Sequence, residues 1–181
     1  MKIFKMLLVF MFLFTGSLTA GSITVKELAH NYRNPKSVIR WVQKNIKYKS
    51  DKLAHNRAEY WQPSKETLEL MSGDCEDSAV LISDILKELG IESVILCVYK
   101  RRGFSLRGHA VCVYKYNNQQ WIGDNGRNFR LKRRYNIAGI CKIITKDWVT
   151  YGIYNTKHIR RGKNKTIRSG WKFENKEKYI F

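Results

Sequence analysis

SGDCEDSAVLISDILKELG, Ser72 to Gly90, is the stretch that decides how this chain folds. Asp74 stands where a helix N-cap belongs, with Asp77 three residues on in capping-box position. Ala79, Ile82, Ile85, Leu86 and Leu89 then recur at helical spacing, and Gly90 supplies the stop. The spacing predicts a helix with one apolar stripe and Cys75 in its first turn. The terminus offers partial positive charge and free N–H groups, which favour a thiolate and can hold an oxyanion. Yet Asp74, Glu76 and Asp77 flank that cysteine, and negative charge opposes a thiolate. In a chain with 34 Lys+Arg against 15 Asp+Glu, so local an acidity needs a reason.

Downstream the period changes from helical to strand-like. SVILCVYK (93–100), HAVCVYKY (109–116) and QQWIGD (119–124) are rich in β-branched and aromatic residues. RRGFSLRG (101–108) joins the first two, and Asn117-Asn118 reads as a tight hairpin turn for the second pair. Upstream, Asn34-Pro35 reads as a cap followed by proline at the first helical position, with Val38, Trp41, Val42 and Ile46 at helical spacing. Residues 49–62 read as polar and irregular, and Ser64 as the cap of a short helix, KETLELM. A helix followed by an antiparallel meander defines an α+β class, with the Cys75 helix packed on the sheet. After Gly126 the pattern weakens. GICKIITKDWVTYGIY fits one or two strands, or a short helix and a strand, and a basic tail follows from Thr156.

The first 20 residues, MKIFKMLLVFMFLFTGSLTA, have the basic start, apolar run and small residues of a secretory signal, with cleavage expected after Ala20. The unbroken run Met6–Phe14 is far shorter than the ~20 residues that span a bilayer. The expectation is therefore a periplasmic or secreted protein with one domain over 21–181. The net charge is +19, and residues 126–181 hold 16 Lys+Arg against three acidic residues. Such a surface favours acidic proteins or anionic surface polymers, and export argues against intracellular nucleic acid. The four cysteines show no CxxC and no Cys/His spacing for zinc.

A nucleophilic cysteine needs a base, usually His, and often a third group to orient it. His30, His55 and His158 lie in polar or basic stretches, whereas His109 opens a strand. A turn centred on Asn117-Asn118 sets Val111 opposite Asp124. His109 and Asp124 then share a sheet face as diagonal neighbours, with His109 expected to face the Cys75 helix. A satisfied structural histidine beside a turn aspartate is the competing reading. A first hairpin centred between Phe104 and Ser105 sets Cys97 directly opposite Cys112, a geometry that permits a disulfide. Buried free thiols are preferred, because cysteine serves as a small apolar residue in such strands.

YWQPSKETLELMSGDCEDSAVLISDILKELGI (60–91), then HAVCVY (109–114), then WIGDNG (121–126), resembles the bacterial transglutaminase-like cysteine proteinases. The likeness covers roughly residues 36 to 126, with GDCED followed by HAV as its most specific part. It implies a papain-related α+β fold, with Cys75 as nucleophile, His109 as general base and acid, and Asp124 as orienter. Met71, Leu81 and Ile82 depart from the family pattern, which bears on the subfamily and substrate and leaves the triad intact. The resemblance also implies Ca²⁺ held by Asp74, Glu76 and Asp77, since carboxylates suit a hard cation and its charge would offset theirs. Plain capping of the helix, or pairing with Lys and Arg, stays open beside it. For the oxyanion, Trp61 and Gln62 are the candidate second donors beside the Cys75 N–H.

The leading expectation is an exported cysteine peptidase acting on a protein or peptide through a thioester acyl-enzyme. The same triad serves a transglutaminase-type acyl transferase if an amine replaces water. A non-enzymatic binder of anionic surface polymers, using the basic region 126–181, is the alternative of a different class.

Overall fold

The computed structural model describes residues 23–125, 127–159, 164–171 and 179–181. The expected signal segment lies outside the described residues. Helices α1 (Val25–Asn31) and α2 (Pro35–Asn45) lead in, followed by β1 (Lys47–Tyr48), α3 (Asp51–His55), α4 (Ser64–Leu70) and β2 (Ser72–Gly73). The long helix α5 (Cys75–Glu88) precedes four consecutive strands, β3 (Ser93–Arg102), β4 (Ser105–Tyr116), β5 (Gln119–Asp124) and β6 (Arg127–Arg130). The chain then forms α6 (Ile137–Ile144), β7 (Trp148–Tyr154), a 3₁₀ turn at Thr156–His158 and β8 (Thr166–Trp171). This is an α+β architecture, with one six-stranded sheet in the order β6-β5-β4-β3-β7-β8, antiparallel throughout.

α5 lies at the centre of the larger core. Leu81, Ile82, Ile85 and Leu86 are at most 1% exposed and pack with Val38, Ile39 and Val42 of α2 and with Cys97, Ala110, Cys112 and Tyr114 of the sheet. Each such side chain stabilises the fold by roughly 1.5–3 kcal/mol relative to exposure. The opposite sheet face, with Val98, Val111, Val113 and Ile122, is covered by Ile137, Ile140 and Cys141 of α6. The α2 start is as the sequence indicates: Asn34 Oδ1 accepts from Ser37 N at 3.0 Å, and Pro35 opens the helix.

Three expectations change. Residues 49–62 are not simply irregular: they hold α3, and they bury Asp51, Tyr60, Trp61 and Gln62. Ser64 is the first residue of α4 rather than its cap, and its hydroxyl donates to Asp84 Oδ2 at 2.6 Å. The 101–108 connection is no long loop. The strands extend until only Gly103 and Phe104 turn the chain, and Gly103 takes φ 60, a conformation glycine adopts without a Cβ clash. That moves the hairpin centre by one residue, so Cys97 pairs with Ala110 and Cys112 with Ile95 rather than with each other. All four cysteines are free thiols. Beyond residue 126 the chain takes the helix-then-strand alternative of the sequence reading, as α6 and β7. α6 closes the second core, and β8 extends the sheet beyond β7.

Candidate active site

The Asp74–Asp77 turn seats Cys75. The Asp74 N–H donates to Asp77 Oδ2 at 3.0 Å, and Asp77 Oδ1 accepts from Gln62 N at 2.8 Å. One buried carboxylate thus ties the start of α5 to the segment before α4. Gly73 makes this approach possible, because a Cβ there would come within 2.6 Å of Asp77 Cβ. Cys75 is then held half-buried at the first position of α5.

β4 and β5 place the imidazole. Asn117 and Asn118 both have positive φ, 51 and 58, as a two-residue turn between twisted strands requires. The resulting register sets Cys112 opposite Gly123, which extrapolates to Val111 opposite Asp124. His109 Nε2 and Asp124 Oδ1 are 2.7 Å apart. With Nε2–H donating to the carboxylate, Nδ1 remains as the acceptor. His109 does not face α5 as the sequence reading expected. Strand alternation groups it with Val98 and Val111, while Ala110 and Cys112 face α5. β5 pairs with β4 no further than Cys112, which leaves the β4 edge open beside Ala110. The thiol approaches this edge, and both Cys75 and His109 line one cleft of about 370 Å³.

The thiol's surroundings oppose its ionisation. Burial pushes the Cys75 pKa well up, the Glu76 charge raises it further, and the Ala110 backbone N–H acts in the opposite sense. Sγ donates to Glu76 Oε2 at 3.1 Å. Glu76 is itself pushed up to about 10, by burial first and by Asp74 next. Burial raises Asp77 to about 7 and moves Asp51 and Glu59 upward too.

Asp51 and Glu59 are the part of the site that sequence reasoning missed. Asp51, Glu59 and Glu76 present oxygens within 4.8 Å of one another, and so do Asp51, Asp74 and Asp77. Asp51 Oδ2 accepts from Tyr60 N, while Asp51 Oδ1 and Asp74 Oδ1 are buried with no partner. Among the described residues no Lys or Arg forms an ion pair with this cluster; the basic group that acts on it is His55, whose charge works to lower the Asp51 pKa against the effect of burial. The one available signal was compositional: Asp51 and Glu59 are the only acidic residues between Glu27 and Glu66. Of the two candidate oxyanion donors, Trp61 lines the cleft, with its ring 4.7 Å from that of Tyr154. Gln62 is fully buried, and its N–H is already given to Asp77.

A helix-terminal cysteine and a carboxylate-paired histidine lining one cleft, on an antiparallel sheet, have the chemical parts of a thiol acyl-transfer centre. A family model described as "Transglutaminase-like domain" matches residues 22–149, and the chain belongs to that family. No curated protein matches the sequence. Among solved structures, the chain is similar to a candidate cysteine protease from Cytophaga hutchinsonii, at 15% identity and a TM-score of 0.45, covering 81% of this chain and 49% of that one. It thus spans about half the length of that protein. Calcium-bound LapG from Legionella pneumophila is similar at 17% identity and a TM-score of 0.43, over 78% of this chain and 91% of that one. The arylamine N-acetyltransferase from Mycobacterium abscessus is similar at 14% identity and 0.40, over 84% and 61%.

Proposed function

We propose that this protein is an exported cysteine peptidase that hydrolyses peptide bonds in a protein substrate. The observation that carries the reading is His109, which lines one cleft with Cys75 and pairs with Asp124 at 2.7 Å. In this reading Cys75 Sγ attacks the substrate carbonyl while its proton passes to His109 Nδ1. Asp124, on Nε2, holds the ring in the required tautomer and stabilises the imidazolium. The Cys75 backbone N–H at the α5 terminus, with a donor from Trp61, faces the oxyanion. His109 then protonates the leaving amine as the C–N bond breaks to give a thioester. Water, deprotonated by His109, attacks the thioester, and the thiol is released with its proton restored.

The carboxylate cluster fits a Ca²⁺ ion. Its donors are hard oxygens, two of them buried and unpartnered, and no Lys or Arg is ion-paired with them among the described residues. Asp51, Glu59, Asp74 and Glu76 would hold the ion, with Asp77 fixing the turn beneath it. When bound, the ion supplies positive charge that relieves the repulsion among these carboxylates and the thiolate. Glu76, once engaged as a ligand, no longer competes with His109 for the Cys75 proton.

The test is incubation of unfolded protein substrates with the chain and with Cys75→Ala, with and without a labelled amine. New termini that need Cys75 are expected. Amine incorporation in their place would reassign the chemistry to acyl transfer, and no Cys75-dependent product would remove the enzyme reading.

A further inference from the structure

The β3–β4 hairpin runs past the rest of its sheet. β7 leaves β3 at Lys100 and β5 leaves β4 at Cys112. Arg101 to Arg107 therefore form a two-stranded ribbon with no strand on either flank among the described residues. Every residue from Lys100 to Gly108 is exposed, and Phe104 at the tip is fully so. The ribbon carries Lys100, Arg101, Arg102 and Arg107 and no acidic residue, and none of the four is ion-paired among the described residues.

The register sorts these charges. Val98 is opposite His109, Lys100 opposite Arg107, and Arg102 opposite Ser105. Directly opposed residues share a face, and every second residue returns to it. Arg107, Lys100 and Arg102 therefore form a basic stripe on the face that carries His109. Lys100 and Arg107 are like charges directly across from each other, an arrangement that destabilises a strand pair. A ribbon without a third strand tolerates that repulsion poorly, and an anionic ligand would offset it. Of the stripe, Arg107 also lines the cleft that holds Cys75 and His109, so the inner end of the stripe meets the site.

We propose that this ribbon is a docking arm for the substrate polypeptide, selecting extended segments with Asp or Glu about two and four residues from the bond that is cut. The assignment of a scissile bond rests on the peptidase reading above. The spacing follows from strand geometry. Arg107 lies two residues, or ~7 Å, from His109, and the Arg102–Ser105 pair lies a further ~7 Å out. A peptide extended alongside advances at the same rise, so its same-face carboxylates meet the stripe at those steps.

The test separates binding from turnover. Full-length Cys75→Ala is titrated with a short fluorescein-labelled peptide bearing two Asp residues spaced two apart, and with its Asn twin. The Asp peptide is expected to bind about tenfold more tightly at low salt, with the gap narrowing as salt rises. Arg102→Glu with Arg107→Glu should abolish the gap, and Arg102→Lys with Arg107→Lys should keep it. Lys26→Glu with Lys36→Glu changes the net charge equally and should leave the gap in place. Equal binding of the twins, or a gap lost equally in the Lys26/Lys36 control, overturns the proposal. So does binding to phosphatidylcholine–phosphatidylglycerol vesicles that is lost in Phe104→Ser while the twins bind alike, which would assign the arm to a lipid surface. A second arm profiles cleavage of a peptide library by the active chain. Cys75-dependent cleavage without acidic enrichment would overturn the docking assignment and leave the peptidase reading standing. Discrimination between the twins without any Cys75-dependent cleavage would keep the acidic-segment arm and remove the peptidase reading.

Discussion

Consider Asp51→Asn, a change at a residue that only the fold brings to the site. Asp51 is 3% exposed, with Oδ2 bonded to the Tyr60 N–H and Oδ1 unpartnered. Its carboxylate lies within 4.8 Å of oxygens on Asp74 and Asp77, and on Glu59 and Glu76. At that distance two unit charges repel by roughly 3–4 kcal/mol at an effective dielectric near 20. Partial protonation lessens that repulsion, and a neutral acceptor for Tyr60 N–H costs about 1 kcal/mol relative to a charged one. The expected balance in EDTA is a gain of about 1–2 kcal/mol, or a melting temperature roughly 3–6 °C above the wild type. Excess Ca²⁺ reverses the order. At about 100 times Kd the wild type gains about 2.7 kcal/mol, while the variant, one carboxylate short, gains less than half of that. Scanning calorimetry in EDTA and in excess Ca²⁺ reads both arms. A variant that melts below the wild type in EDTA, and shifts equally with Ca²⁺, would refute the reasoning.

In EDTA, wild-type stability should rise as pH is lowered from about 8 to 5. Burial holds Glu76 at about 10 and Asp77 at about 7, above the ordinary 4.5 and 3.8 of the unfolded chain. The native state then binds more protons in that window, so stability is lost as pH rises through it; chemical denaturation at several pH values checks this. Iodoacetamide should label Cys75 before the three buried cysteines, and faster with Ca²⁺ than in EDTA; equal labelling of all four in the folded protein would count against a reactive Cys75. His109→Ala should be nearly inactive, and Asp124→Asn should fold yet lose roughly 10²–10⁴ of kcat/KM, so a fully active Asp124→Asn would remove Asp124 from the mechanism. Thiol titration of the denatured, non-reduced protein should find all four cysteines, because Cys97 and Cys112 stand opposite Ala110 and Ile95; finding only two would mean a linkage that this register disfavours.

Much of this protein is written locally. Asp74, Asp77 and the stripe from Ala79 to Leu89 define α5, since caps and period act over one or two turns. Asn117-Asn118 defines the β4–β5 register, since a two-residue turn leaves one pairing. That register alone brings His109 to Asp124. The first hairpin differs from the sequence reading because RRGFSLRG holds both strand and turn residues, and a one-residue change of centre re-pairs Cys97 and Cys112 while keeping the two on one sheet face. Asp51 and Glu59 were illegible for another reason. Their role depends on α3 and the 49–62 segment folding back over the start of α5, and nothing local marks that path. The acidic character around Cys75 is therefore a property of the sequence, but the five-carboxylate cluster belongs to the tertiary structure. Like charges from distant segments share a small volume only because the apolar core and the Asp77 hydrogen bonds hold their backbones together.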